Sequence, residues 1–170
     1  MGFEKNTFLY FAYGSNLLAE HIHMNSPSAI RKGIGKLKIR FWLLFRSLER
    51  KYCHNSPGSE YIYFWETSVE DMSNLDKQEG VDNKIYEAIT VKVETPQNDN
   101  VTCRSYQLCE QPCKILEDEI LPEIRKPSLL YLTIILNGAK ESCLPESYIN
   151  DLKKIQHNGS TNFEIKKIMI

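Results

Sequence analysis

An α+β fold is predicted for this 170-residue chain by three features of its pattern. Strand-like runs are dispersed along it, helical spacings fall between them at uneven intervals, and two β-rich runs flank a turn in the second half. With 42% hydrophobic residues the chain can build a core without disulfides, as one domain over 1–170 with loose tails at 1–6 and 157–170. There are no internal repeats, low-complexity segments or linkers to mark a second domain.

The elements follow in order. Residues 8–13, FLYFAY, form an aromatic and aliphatic run that suits one buried strand. Gly14, Ser15 and Asn16 stop it, and a short helix over 17–24 follows, closed by Asn25, Ser26 and Pro27. Residues 36–46 alternate, with Leu37, Ile39, Phe41, Leu43 and Phe45 on one face, which predicts a half-buried strand. Residues 47–58 are polar and end in the turn signal Ser-Pro-Gly, and 61–65 are again an aromatic strand. Ser68 and Asp71 have capping-box spacing ahead of Val69, Met72 and Leu75, so a helix is expected to run from there to Gly80. Residues 85–94 and 100–108 make the hairpin, with Val91 and Val93 facing the core. Residues 111–126 read as a loop with one helical turn. Pro127 opens a nearly all-apolar helix that Gly138 should end, placing it centrally against the sheet, and Pro145 starts a more exposed one with Tyr148, Leu152 and Ile155 inward.

Composition excludes several function classes. A net charge of −1 exerts no long-range pull on nucleic acid or an anionic membrane, and a small neutral or zwitterionic ligand fits best. The first residues lack an apolar signal region, and no apolar run approaches membrane-spanning length, which leaves the cytoplasm as the expected location. Five cysteines, odd in number and irregular in spacing, argue for reduced thiols. Cys109 and Cys113 have no second pair at zinc spacing, and His21 and His23 diverge on a helix as solvated side chains, so no metal site is expected.

Two stretches could carry chemistry. At the strand-to-helix junction the N–H groups of Gly14, Ser15 and Asn16 lack strand or helix partners and make a small anion-binding concavity with a helix dipole behind it. Taken alone, the same residues also describe an ordinary turn with Asn16 as N-cap. Glu79 sits at the end of the helix before Gly80, where the macrodipole and partial burial both disfavour the carboxylate and raise its pKa, as a proton shuttle near neutral pH requires. Taken alone, a Glu near a helix end is usually a solvated surface charge.

The string FLYFAYGSNLL over 8–18, with LDKQEGV over 75–81, closely resembles the γ-glutamylcyclotransferases. Further blocks match in the family's order, among them Thr102-Cys103-Arg104-Ser105-Tyr106, Pro127-Ser128 with Tyr131, and Gly138-Ala139-Lys140-Glu141. The resemblance implies a small mixed β-barrel flanked by helices, often dimeric, that converts γ-glutamyl amino acids or dipeptides to 5-oxoproline and a free amino acid without cofactor or metal. It implies that Glu79 is the proton shuttle and that Tyr13, Gly14, Ser15, Asn16 and Leu17 grip the glutamyl head or its oxyanion. Tyr86 and Tyr131 would donate phenolic hydrogen bonds at the floor of the site; Tyr10 and Tyr13 also read as core aromatics. One departure stands out: between Ser47 and Asn55 relatives carry a longer segment, so a strand is expected to be shortened or missing there. Alternatives are a catalytically silent member that binds a ligand or partner, a glutathione-specific cyclotransferase, and a thiol hydrolase, for which no Cys has a nucleophile context.

Overall fold

The computed structural model describes residues 6–37, 43–47, 50–54, 60–110 and 126–161. Seven strands and four α-helices are found among them: β1 (Thr7–Phe11), α1 (Ala19–His23), β2 (Ile30–Leu37), β3 (Leu43–Ser47), β4 (Arg50–His54), β5 (Glu60–Ser68), α2 (Met72–Glu79), β6 (Tyr86–Glu94), β7 (Asn100–Leu108), α3 (Leu129–Glu141) and α4 (Glu146–Lys153). Five strands close into a barrel in the order β1-β5-β2-β6-β7, and β3 pairs with β4 in a separate two-stranded sheet. The closure is thin: β1 and β7 meet in parallel through the single pair Tyr10 and Arg104, whereas β6 and β7 pair antiparallel along their whole length.

β1 is buried on both faces, as its continuous apolar run predicts. Leu9 and Phe11 join a cluster with Ile62, Phe64, Val91, Val93 and Cys103 that α3 and α4 cover through Leu132, Ile135, Tyr148 and Leu152. Tyr10 and Ala12 face the other way into a second cluster with Ile22, Trp65, Leu75, Tyr86, Tyr106 and Leu108, beneath α1 and α2. The residues between β1 and α1 therefore pass from one packed layer to the other.

The structure redraws some boundaries. The strand expected over 36–46 is two elements in different sheets: β2 begins at Ile30, earlier than expected, and ends at Leu37, while 43–47 belong to β3. Alternation reports which residues are extended but not what they pair with, and Gly33 and Gly35 hid the first half of β2 from a hydrophobic pattern. Between Ser47 and Asn55 a strand does stand, β4, in register with β3 from Leu43 and His54 to Ser47 and Arg50. Its sequence RKYCH is too polar to announce a strand. The loop with a helical turn expected over 111–126 lies, but for Lys126, outside the described residues.

The capping box is not closed as expected. The Ser68 hydroxyl accepts from the Glu70 N–H at 3.3 Å, but Asp71 turns to Ser28, taking its N–H at 3.1 Å and its hydroxyl at 2.5 Å. α3 does not end at Gly138 but runs on to Glu141, for a reason that belongs to the site. The chain after α4 is tied back to α3, with the Asn158 N–H on the Pro127 carbonyl at 3.0 Å and the Leu130 N–H on the Ser160 carbonyl at 3.3 Å. No helix among the described residues is long and apolar enough to cross a membrane.

Candidate active site

Glu79 owes its place to the way α2 stops. Gly80 adopts the left-handed conformation (φ 68°, ψ 40°), its N–H reaches the Lys77 carbonyl at 3.0 Å, and the Val81 N–H reaches the Asp76 carbonyl at 2.9 Å. That pair of bonds is a Schellman motif, which makes Glu79 the last residue before the turn and aims its side chain away from the helix axis. Glu79 is part-exposed yet closely surrounded, and burial pushes its carboxyl up to about 7, with the Asp76 carboxylate adding to the rise. A carboxyl in this condition exchanges protons near neutral pH.

Three phenols share this surround. Burial first, and the Glu79 charge second, raise the ionisation of Tyr10, Tyr13 and Tyr131 far enough that all three stay neutral. Tyr10 comes from β1, Tyr13 from the chain just after it, and Tyr131 from α3, so two segments far apart in sequence converge on one acid. The Tyr13 hydroxyl donates to the Tyr106 carbonyl of β7. The Tyr131 phenol is hydrogen-bonded by both the hydroxyl and the backbone N–H of Ser15, and it lies 3.3 Å from where a Cβ on Gly14 would stand.

The loop itself is a single 3-10 turn over Ser15–Leu17, with Leu17 N–H on the Gly14 carbonyl at 3.0 Å and Leu18 N–H on the Ser15 carbonyl at 3.1 Å. α1 begins only at Ala19, so the expected helix over 17–24 is split, and a five-residue helix adds little dipole behind the loop. Two donors are left over. Among the described residues, no acceptor meets the N–H of Gly14 or of Asn16.

Asn16 does not cap a helix. Its side chain, 2% exposed, turns inward, where Nδ2 donates to the Tyr10 hydroxyl at 3.0 Å and Oδ1 accepts from Gln78 Nε2 at 2.9 Å. Oδ1 also meets His21 Nδ1 at 3.0 Å. His21 is consequently not the solvated side chain expected, and burial lowers its pKa; His23 is exposed. Because Gln78 is the neighbour of Glu79, Asn16 ties the loop to the acid's helix.

α3 presses on the loop from behind. A Cβ on Gly138 would stand 2.5 Å from the Leu18 nitrogen and 2.6 Å from the Leu17 carbonyl carbon, so only glycine lets the helix and the loop backbone touch. This is why the helix continues through Gly138, which serves packing and not termination. One turn on, Glu141 accepts the Ala19 N–H at 3.2 Å and pairs with Arg31 at 3.0 Å, and Arg31 also reaches the Leu17 carbonyl at 3.4 Å. Leu17 is fully buried, so what it offers the site is the path of its backbone.

Of the residues singled out from sequence, Glu79, Tyr13, Gly14, Ser15, Asn16 and Tyr131 gather here, and Leu17 anchors the turn. Tyr86 is buried in the second core cluster, with no contact among those described linking it to Glu79. Pattern reasoning missed Asp76, Gln78, Arg104 and Tyr106; the available signals were the i, i+3 spacing of Asp76 and Glu79 and the polar residues of the 102–106 block. A separate cleft of about 390 Å³ between β1 and β7 is lined by Phe8, Glu66, Thr102 and Arg104, and neither Glu79 nor the loop borders it. No cluster of His, Cys, Asp or Glu suited to a metal occurs among the described residues.

Comparison with known proteins gives the family of the chain. Residues 61–152 match the model of the AIG2-like family. The chain is 38% identical to a γ-glutamylcyclotransferase of Mus musculus, across 99% of this chain and 90% of that protein, and 36% identical to one of Homo sapiens with the same coverage. A solved structure described as γ-glutamyl cyclotransferase superposes with a TM-score of 0.70 at 35% identity, covering 96% of this chain and 98% of the other. An uncharacterised Homo sapiens protein superposes with a TM-score of 0.74 at 36% identity, with the same coverage. The chain belongs to the γ-glutamylcyclotransferase family, within the AIG2-like group.

Proposed function

We propose that this protein cyclises γ-glutamyl amino acids or dipeptides to 5-oxoproline with release of the free amino acid, in the cytoplasm, with no cofactor, and as the homodimer that the resemblance implies. The observation that supports it is a carboxyl that burial raises to about 7, joined through Tyr131 to a loop whose Gly14 and Asn16 N–H groups meet no acceptor among the described residues, on segments more than 60 residues apart in sequence.

The chemistry is intramolecular. Glu79, as carboxylate, takes a proton from the substrate's α-ammonium. The freed amine attacks the γ-carbonyl, the lactam C–N bond forms, and the carbonyl oxygen becomes an oxyanion. The N–H groups of Gly14 and Asn16 are suited to hold that oxyanion or the glutamyl carboxylate. Glu79 hands that proton to the leaving nitrogen and takes the second one from the attacking nitrogen; collapse then breaks the original amide C–N bond, and the second proton departs with the amine as its ammonium, which returns Glu79 to the carboxylate. Neutral Tyr13 and Tyr131 shape the floor without adding charge. A part-buried acid near pH 7 performs both proton transfers at little cost, because neither of its forms is strongly favoured.

Release of 5-oxoproline from γ-glutamyl-alanine and from glutathione is the test. Glu79→Gln should lose about 10²- to 10⁴-fold in turnover while the fold persists, the range typical for a general base. Turnover within tenfold of wild type would move the proton shuttle elsewhere. Thermal stabilisation by 5-oxoproline with no turnover by the wild-type chain would make this a binding protein. Preference for glutathione over γ-glutamyl-alanine would make it the glutathione-specific kind.

A further inference from the structure

Glu79 does not act alone on its helix. Asp76 lies three residues earlier, on the same face of α2, and its Oδ1 receives two short bonds from β7: Arg104 Nη2 at 2.6 Å and the Tyr106 hydroxyl at 2.6 Å. Arg104 Nε donates to the Tyr106 oxygen at 3.1 Å, and the guanidinium lies 5.2 Å from the centre of the Tyr106 ring. The other side of Tyr106 faces the loop. Its carbonyl accepts the Tyr13 hydroxyl, and its ring meets that of Tyr10 edge-on at 5.8 Å. One residue of β7 thus touches the acid's helix through its phenol and the chain leading into the loop through its carbonyl.

We propose that Asp76, Arg104 and Tyr106 are positioning residues that set the charge beside Glu79 and fix its helix at a constant distance from the glycine loop. The proposal rests on the reading of Glu79 as the proton shuttle. Among the described residues, four titratable groups face Glu79: Asp76 on its own helix, Tyr10 and Tyr13 from β1 and the chain after it, and Tyr131 from α3. The three phenols are neutral throughout the working range, so the charged group that acts on Glu79 among the described residues is Asp76, and Arg104 is bonded to that carboxylate. A neighbouring carboxylate disfavours ionisation of Glu79, and on this proposal a guanidinium paired with that carboxylate offsets part of the effect. Removing one partner should therefore act opposite to removing the other. A merely structural brace would shift neither.

The test is a carboxyl-carbon NMR titration of Glu79 in the full chain, its signal assigned by difference against Glu79→Gln. In Asp76→Asn the midpoint should fall by about one pH unit, and in Arg104→Gln it should rise by about half a unit or more. Arg104→Lys should return to within a few tenths of a unit of wild type. The acid limb of kcat/KM should move with each midpoint. Asp76→Asn keeps the shape and the accepting oxygen of the native residue, so it decides the sign even if Arg104→Gln does not fold. An unchanged or raised midpoint in Asp76→Asn overturns the proposal. The titration needs no turnover: absence of 5-oxoproline release would defeat the functional reading, while the charge coupling stands or falls on the midpoints.

Discussion

The glycine loop is fixed by steric contact, whereas the acid that faces it is fixed by polar bonds. Gly138 seats α3 directly on the backbone of Leu17 and Leu18, and the turn's own hydrogen bonds, with those of Ser15 to Tyr131 and of the Asn16 side chain, add to that contact. Glu79 is placed by a helix stop and by polar side chains: Asp76, held from β7 through an ion pair, and Gln78, held by Asn16 through an amide hydrogen bond. Contact forces rise steeply within a few tenths of an ångström, and electrostatic ones fall slowly with distance. The loop should thus tolerate changes of charge and pH but not of volume, and the acid the reverse.

The strongest break in that contrast is Gly138→Ala. Its new methyl group has no room against two backbone atoms, so α3 or the loop must shift, at a cost of about 2–3 kcal/mol. Thermal unfolding should drop by roughly 5–10 °C, and 5-oxoproline formation should fall about a hundredfold as the loop donors move. A less stable variant with full activity would show that α3 does not set the loop's position.

Glu79→Gln tests the electrostatic half through stability instead of turnover. The folded-state pKa of Glu79, about 7, lies above its ordinary value of 4.5, so between these limits the folded protein keeps a proton that the unfolded chain releases. The sign is a penalty. It is absent below about pH 4.5, grows as pH rises, and reaches about 3 kcal/mol above pH 7. Urea unfolding should find Glu79→Gln more stable than wild type by up to that amount at about pH 8 and nearly equal to it at about pH 4.5. Equal stability at both would mean that Glu79 is not held in its protonated form by the fold.

Tyr131→Phe should be the mildest of the three and sharpens the comparison, since Tyr131 is where the two halves meet. The Ser15 N–H and hydroxyl lose their acceptor, at about 1–2 kcal/mol, for roughly a tenfold loss in kcat/KM with little change in its acid limb. A large shift of that limb would place Tyr131 in the proton path.

The sequence carried much of this. The apolar run of β1, the helix stop at Gly80, the β6–β7 hairpin and the inward face of α4 were all readable, because each depends on a local preference: burial of a continuous run, left-handed glycine, period two or period 3.6. Gly14, Ser15, Asn16 and Glu79 were legible as candidates on the same local grounds, helped by resemblance. The ends of β2, the strand β4 and the role of Gly138 were not. Gly33, Gly35 and the polar RKYCH give no hydrophobic signal, and a helical glycine looks like a stop until something is seen pressed against it.

Composition and spacing by themselves determined an α+β chain with a glycine turn after its first strand and an acid at the end of its second helical stretch. Only the folded chain decided that these meet, that Asn16 points inward to Gln78 and not to a helix end, and that Asp76 and Arg104 stand beside the acid. The reason is the range of the forces. A turn or a cap is settled among residues a few positions apart, while the burial that lifts Glu79 toward pH 7, and the nearness of Tyr10, Tyr13 and Tyr131, depend on barrel closure and the packing of α3.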